Sequence, residues 1–177
     1  MTDFLALSRR RQSCRSFSEK PVERDKLMTC IEAAHMAPSA CNSQPWSFVV
    51  AENPELVAQI AKSGQPDGFN PFLDKAPVFV VILEEHATLT RKIRQYVDGQ
   101  YFAKGDLGAV TAQLCLAAED QGLGTCIIGV FDRDHMREML GLSADKKIGS
   151  LIAVGYPAND TVRNKVRKPL EEIVRFL

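Results

Sequence analysis

The stretch Ala37-Pro38-Ser39-Ala40-Cys41-Asn42-Ser43-Gln44-Pro45-Trp46 joins a predicted helix to a predicted apolar strand, Ser47-Phe48-Val49-Val50-Ala51. Pro38 and Pro45 stiffen its two ends, because proline fixes its own backbone and restricts the residue before it. Between them lie small side chains and amides, which donate and accept hydrogen bonds at close range. Such a loop packs poorly as a core and suits the wall of a site for a flat polar heterocycle.

The chain has 177 residues, 45% of them hydrophobic, which predicts a single domain spanning 1–177 with a core of its own. Its 22 Lys and Arg balance 22 Asp and Glu, and this argues against nucleic-acid binding, which usually needs a basic excess. No apolar run approaches the roughly 20 residues that cross a bilayer, and the opening Met1-Thr2-Asp3-Phe4 has no apolar signal segment. Five widely spaced cysteines, odd in number, suit a reduced, cytoplasmic protein.

Helices and short apolar strands alternate irregularly along the chain, which predicts a layered α+β fold. We expect helices over 3–12, about 23–36, from Pro54 to Gly64, from Asp106 to Gly122 and after Asp132, and strands over 47–51, 78–83, 126–130, 150–154 and 173–177. The run 78–83 is apolar without alternation, so we expect it to be buried on both faces. The helix after Asp106 has so little polar surface that a subunit interface is expected to cover its second side.

Two basic segments are candidates for binding an anion. Arg11, Ser13 and Arg15 alternate, so an extended backbone would present all three on one side, where two guanidiniums and a hydroxyl form a phosphate clamp. The alternative is a solvated helix end whose charges favour the helix dipole. Lys165 and Arg167 alternate in the same manner, and their alternative is a flexible basic linker. The sequence alone leaves open whether the two segments meet.

Other motifs argue against a dinucleotide-binding motif, a cysteine nucleophile and a metal site. The run Gly122-Leu123-Gly124-Thr125-Cys126-Ile127 lacks the third glycine of a dinucleotide motif and follows a helix, so its glycines are expected to end that helix and begin a strand. Cys41 is interpreted as a small filler of a tight loop and not as a nucleophile. The three histidines have no ligand spacing with any cysteine, so we predict no metal site.

Four motifs in order resemble the nitroreductase family of FMN-dependent oxidoreductases, and the resemblance covers nearly the whole chain. Arg11-Gln12-Ser13-Cys14-Arg15-Ser16-Phe17 is similar to the family's opening Arg-Arg-Ser-x-Arg-x-Phe, and Pro38 to Trp46 matches its Pro-Ser-Ser-x-Asn-x-Gln-Pro-Trp. Leu116 to Gly129 resembles the central helix and flavin strand, and Gly155-Tyr156-Pro157 with Arg167-Lys168-Pro169-Leu170-Glu171-Glu172 resembles the closing motif. Gln12 and Ala40 depart from the family pattern, and they remove one positive charge and one hydroxyl.

The resemblance implies a three-layer fold, with a central mixed β-sheet flanked by helices, that assembles as an intertwined homodimer with FMN at the interface. On this view the phosphate and ribityl chain are held by Arg11, Gln12, Ser13 and Arg15, with Lys165 and Arg167 on the same phosphate. The flavin is contacted from the other subunit by Pro38, Ser39, Ala40 and Asn42. Ile128 and Gly129 would line the isoalloxazine, with a backbone N–H directed at its reactive N5. The apolar tail would cross to the partner.

The activity implied by the resemblance is ping-pong reduction of nitroaromatics, quinones or flavins, with NADH or NADPH as donor. The redox chemistry belongs to the cofactor, so no side chain is assigned as an obligatory acid, base or nucleophile. Two alternatives remain open: a specialised relative of the dehalogenase or flavin-destructase type, and a flavin-binding sensor without turnover. A scaffold without ligand would require the basic segments and the amide loop to be coincidences.

Overall fold

The computed structural model describes residues 3–177. The helices are α1 Phe4–Arg10, α2 Arg24–His35, α3 Pro54–Ser63, α4 Arg91–Arg94, α5 Gly99–Asp120, α6 Arg133–Met139 and α7 Leu170–Ile173. The strands are β1 Trp46–Ala51, β2 Val78–Glu84, β3 Gly124–Ile128 and β4 Lys147–Gly155. Within the described residues no helix combines the length and the apolar character needed to cross a bilayer.

Local capping signals place several helix starts where the sequence predicts them. The Asn53 side chain accepts from the backbone N–H groups of Glu55 and Leu56, with Pro54 at the first helical position. The Asp132 side chain accepts from the backbone N–H of His135 and begins α6 in the same way. Each cap satisfies backbone donors that would otherwise lack a partner in the first turn.

The strands form one sheet in the order β1-β2-β4-β3, and every neighbouring pair is antiparallel. At one edge of the sheet Trp46 of β1 lies opposite Glu84 of β2, and at the other edge Gly124 of β3 lies opposite Gly155 of β4. The parallel component expected of a mixed sheet is limited, in the described chain, to one isolated bridge between Ser13 and Thr125. The Ser13 segment therefore pairs with the start of β3 at a single residue and does not extend into a strand.

Helices cover both faces of the sheet, which confirms the predicted three-layer α+β arrangement. One core joins β2 to α3 and α6 through side chains such as Phe79, Ile60 and Met136. The other core joins β2 to α2 and α5 through side chains such as Leu27 and Leu114. Alternate residues of β2 enter opposite cores, so the strand is buried on both faces as predicted.

One predicted helix start and one predicted strand are wrong, and the strand predicted over 126–130 runs instead from Gly124 to Ile128. The long helix begins at Gly99, capped by the Asp98 side chain on the backbone N–H of Gln100, and Asp106 lies within it. The early start is stabilised by tertiary packing, since Gly99 lies against Ala87 so closely that a Cβ there would come within 2.7 Å of the Ala87 carbonyl oxygen. The predicted strand over 173–177 is also wrong, because no strand of the described chain lies beside it to pair with; α7 ends at Ile173 and the rest is exposed.

Candidate functional site

The two basic segments, 150 residues apart in the sequence, meet in the fold. The Gln12 amide donates to the Thr161 carbonyl at 2.7 Å, and its Oε1 accepts from the backbone N–H and Nε of Arg163 at 3.1 and 3.2 Å. Nη2 of Arg163 also donates to the Ser13 carbonyl at 2.7 Å. Both ends of Gln12 are therefore bonded to the C-terminal segment, so its part in the site is to fasten that segment in place. Arg163, to which the sequence analysis gave no role, completes the fastening.

Lys165 lies at the centre of the resulting cationic cluster. Its Nζ donates to the Ser8 carbonyl in α1 at 2.5 Å. Burial lowers the pKa of the Lys165 ammonium, and the nearby charges of Arg11 and Arg167 lower it further, with Glu119 opposing them. Like charges that lie close together repel one another, so a bound anion would stabilise this cluster.

The remaining predicted anion ligands divide between this cluster, which includes Arg11 and Arg167, and a neighbouring cavity lined by Arg15. Arg11 is the C-cap residue directly after α1, and it is half-buried. Arg15 is exposed and lines a cavity of about 710 Å³ together with Gln12, Ser13 and Arg163. Nη1 of Arg167 donates to the Val166 carbonyl at 2.7 Å, and the residue is exposed. Further lining comes from Gly122, Leu123, Gly124, Tyr156, Pro157, Asn159 and Asp160.

This phosphate-type cluster lies beside the β3 edge of the sheet. The Cys14 N–H donates to the Thr125 carbonyl at 2.8 Å, next to the Ser13–Thr125 bridge. Gly124 permits the approach, since a Cβ there would lie 2.7 Å from Cβ and 2.8 Å from Sγ of Cys14. Burial raises the pKa of the Cys14 thiol, so the residue packs as a neutral side chain. All five cysteines are free thiols.

At the C-terminal end of β3, the predicted pair Ile128 and Gly129 differ in what they can offer a ligand. The Ile128 side chain is 3% exposed and belongs to the core with α3 and α6, so only its backbone can line a ligand. Gly129 follows in open space, where a Cβ would meet no atom within 4 Å. Strand alternation turns Ile127 to the opposite side, where it is 48% exposed. Ile127 was not predicted as a site residue, although alternation with a buried Ile128 predicts its exposure.

The loop at 38–45 has a fixed and unusual backbone. Cys41, Asn42 and Gln44 have φ values of 54°, 51° and 47°, in the left-handed region that few residues other than glycine adopt. The Ser39 hydroxyl accepts from the Gln44 N–H at 2.9 Å, which ties the two ends of the turn together. A left-handed backbone costs about 1–3 kcal/mol per residue and persists only where the surroundings hold it.

Two outside contacts hold this loop against the rest of the fold. Asp106 Oδ2, on α5, accepts from the Ala40 N–H at 3.2 Å. The Ser43 hydroxyl accepts from the Thr88 N–H at 2.8 Å. Of the four residues predicted to contact a ligand, Pro38 and Asn42 are exposed, whereas Ser39 and Ala40 are half-buried and the Ser39 hydroxyl is bonded within the loop.

The two groups of predicted residues lie at opposite edges of the sheet. The loop at 38–45 leads into β1, whereas the cationic cluster and Gly129 flank β3. The order β1-β2-β4-β3 separates these edge strands by three interstrand spacings, or about 14 Å. One chain therefore offers two separate surfaces. Within the described residues, no group of three His, Cys, Asp or Glu could hold a metal ion.

Comparisons with known proteins agree on one family. The profile described as Nitroreductase family matches residues 8–65 and 63–156. The chain is 30% identical over 191 residues to an NADH dehydrogenase of Thermus thermophilus, covering 93% of this chain and 91% of the relative. It is 28% identical over 175 residues to an FMN reductase (NAD(P)H) of Bacillus subtilis, covering 92% and 68%. A nitroreductase family protein from Streptococcus pneumoniae superposes with a TM-score of 0.86 and 27% identity, covering 99% and 100%.

Proposed function

Because this chain belongs to the nitroreductase family, we propose that it binds FMN and reduces nitroaromatics, quinones or flavins with electrons from NADH or NADPH, in a ping-pong cycle. The observation that carries the proposal is the meeting of the two basic segments, where Gln12 bonds to Thr161 and Arg163. Burial there lowers the pKa of Lys165, and the charges of Arg11 and Arg167 lower it further. The family match and the FMN reductase relative support the same cofactor.

The residues present fit this cofactor. Cationic groups and the Ser13 hydroxyl provide the donors that a phosphate needs, since charge-assisted hydrogen bonds are the strong ones. Open space at Gly129 leaves room for a flat ring against backbone. Bound FMN supplies the electron transfer, and this chain's residues bind it, orient it and leave one face open to substrates. A single open face suits two substrates that bind in turn.

We further propose that the protein acts as a homodimer in which each site is completed by the 38–45 loop of the other chain. The separation of the two surfaces within one chain supports this, because a ring held at Gly129 is more than two strands away from that chain's own loop. The exposed apolar tail also supports it: Phe176 is 95% exposed, which is costly for a side chain that has no partner.

The visible spectrum of the freshly purified protein, recorded without oxygen before and after NADPH and then NADH, tests the proposal. We expect an oxidised-flavin spectrum that bleaches with at least one donor. A flavin that both donors leave yellow would point to a sensor or to a specialised relative with another source of electrons. A colourless protein that also fails to take up added FMN would overturn the proposal.

Replacing Lys165 by glutamine is expected to weaken FMN binding without weakening the fold. Loss of one charge-assisted contact, about 1.5–3 kcal/mol, raises the FMN dissociation constant roughly ten- to a hundredfold. The protein without FMN should have a stability close to that of wild type near neutral pH. The substitution removes a charge that burial and the nearby arginines disfavour, and this gain offsets the loss of the bond to the Ser8 carbonyl. Urea unfolding of the FMN-free proteins and titration with FMN measure the two effects.

The same substitution should change how stability depends on pH. Below the lowered pKa of Lys165, folded and unfolded chains both carry the charge, and the cost to the fold is complete. This cost disappears as the pH rises toward about 10.4, where an unfolded lysine also loses its proton. The wild-type protein without FMN should therefore gain stability relative to Lys165→Gln across that alkaline range. A less stable variant with unchanged FMN affinity would contradict the assignment.

A further inference from the structure

A segment that the site does not use lies directly beside the 38–45 loop. Residues 88–104, here called the basic-aromatic segment, begin at Thr88, whose N–H is bonded to Ser43 in the loop. The segment ends two residues before Asp106, which holds the Ala40 N–H. The segment is thus attached to the loop that is proposed to face the flavin at its first residue and, through Asp106, just beyond its last residue.

The basic-aromatic segment is strongly cationic in a chain of zero net charge. It holds four basic side chains against one acid, a formal charge of +3. Arg91 and Lys92 in α4 and Lys104 in α5 are exposed and form no ion pair among the described residues. Arg94 uses one donor on the Leu89 carbonyl at 2.8 Å.

Two tyrosines of this segment face solvent. Tyr96 is 79% exposed and Tyr101 is 73% exposed. Tyr101 touches the Phe102 ring edge-on, at 5.6 Å between centroids, which leaves its outer face open. Large exposed rings and unpaired cations on one short segment are the groups that recognise a ligand carrying both an aromatic ring and negative charge.

We propose that the basic-aromatic segment binds the diphosphate and purine of the nicotinamide dinucleotide donor, and so favours the dinucleotide over uncharged electron carriers. The inference rests on the proposed function. The donor joins its reacting ring to a distant purine through a diphosphate, so it needs a cationic and aromatic surface at the margin of the site. Quinones and uncharged nitroaromatics carry no group that would use Arg91 or Lys92.

The double variant Arg91→Gln and Lys92→Gln tests the proposal, since glutamine keeps helix propensity and removes the charge. The first measurement is the dissociation constant of NADP⁺, an unreactive probe, at low and high ionic strength. We expect about three- to tenfold weaker binding in the variant, as for two exposed ion pairs, and a smaller dependence on salt.

The second measurement compares kcat/KM for NADPH with kcat/KM for the uncharged donor 1-benzyl-1,4-dihydronicotinamide. We expect the variant to lose efficiency with NADPH alone. The matched control is Lys62→Gln and Lys75→Gln, two exposed lysines in α3 and just before β2 that form no ion pair among the described residues; both constants should match wild type.

The outcomes separate this inference from the proposed function. A wild-type protein that the uncharged donor reduces, with NADP⁺ binding unaltered by every variant, would overturn the inference and leave the oxidoreductase assignment intact. An equal loss with charged and uncharged donors would assign the segment a structural role and overturn the inference as well. A wild-type protein reduced by neither donor would defeat both.

Discussion

Simultaneous replacement of Arg11 and Arg167 by alanine is expected to give a folded, colourless protein that does not retain FMN. Arg11 belongs to the first basic segment and Arg167 to the second, and the charge of each lowers the pKa of Lys165. Hydrogen bonds to charged groups contribute about 1.5–3 kcal/mol each. Micromolar binding corresponds to about 8 kcal/mol, so loss of two such contacts should raise the dissociation constant by at least a hundredfold.

Absorbance of the purified protein, followed by titration of the FMN-free form with FMN, measures the effect. The matched control is Arg9→Ala with Lys168→Ala, which removes one exposed cation within two residues of Arg11 and one beside Arg167. If a general positive field were responsible, both double variants would lose FMN equally. Full retention of FMN by the Arg11 and Arg167 variant would contradict the phosphate assignment.

Features set by local chemistry could be predicted from the sequence. The caps at Asn53 and Asp132 require only a side-chain oxygen two or three residues before a free N–H, and both are confirmed. The glycine interpretation at Gly122 is confirmed as well, because its φ of 75° ends the helix before β3 begins at Gly124.

Features set by distant contacts could not. The sequence predicted Asp106 as the cap of the long helix, but Asp98 caps it, and the early start depends on how Gly99 packs against Ala87. The tail over 173–177 is apolar enough for a strand, but a strand needs a neighbour, and the described chain provides none. The face of the sheet on which the Ile128 side chain lies depends on the register of β3 against β4, and that register cannot be read from the sequence.

In the candidate site, too, the residue types could be predicted from the sequence, whereas the contacts between distant residues could not. Residue types in the basic segments indicated an anion site, yet their meeting depends on the Gln12 bonds to Thr161 and Arg163. The loop at 38–45 was recognisable by composition, but its support by Asp106 comes from the middle of a helix that lies 66 residues away in sequence. Partners so far apart in the chain leave no periodic trace in it.

Mixing two defective variants should restore FMN binding if each site is shared between chains. One variant carries Arg11→Ala and Arg167→Ala, which damages the surface on the β3 edge. The other carries Ser39→Ala and Asn42→Ala, which removes the bond that closes the loop and places alanine at a φ of 51°. Each variant alone is expected to retain little FMN.

After the two variants are unfolded together and refolded as a mixture, chains pair at random and half of the dimers contain one of each. In such a dimer one site combines both damaged surfaces, and the other combines the intact loop of the first variant with the intact cluster of the second. About one quarter of all sites should therefore recover FMN, since an isologous pair places both surfaces across a two-fold axis. A site built within one chain would stay damaged in every combination, so no recovery, with dimers shown to exchange by mass spectrometry, would overturn the shared site.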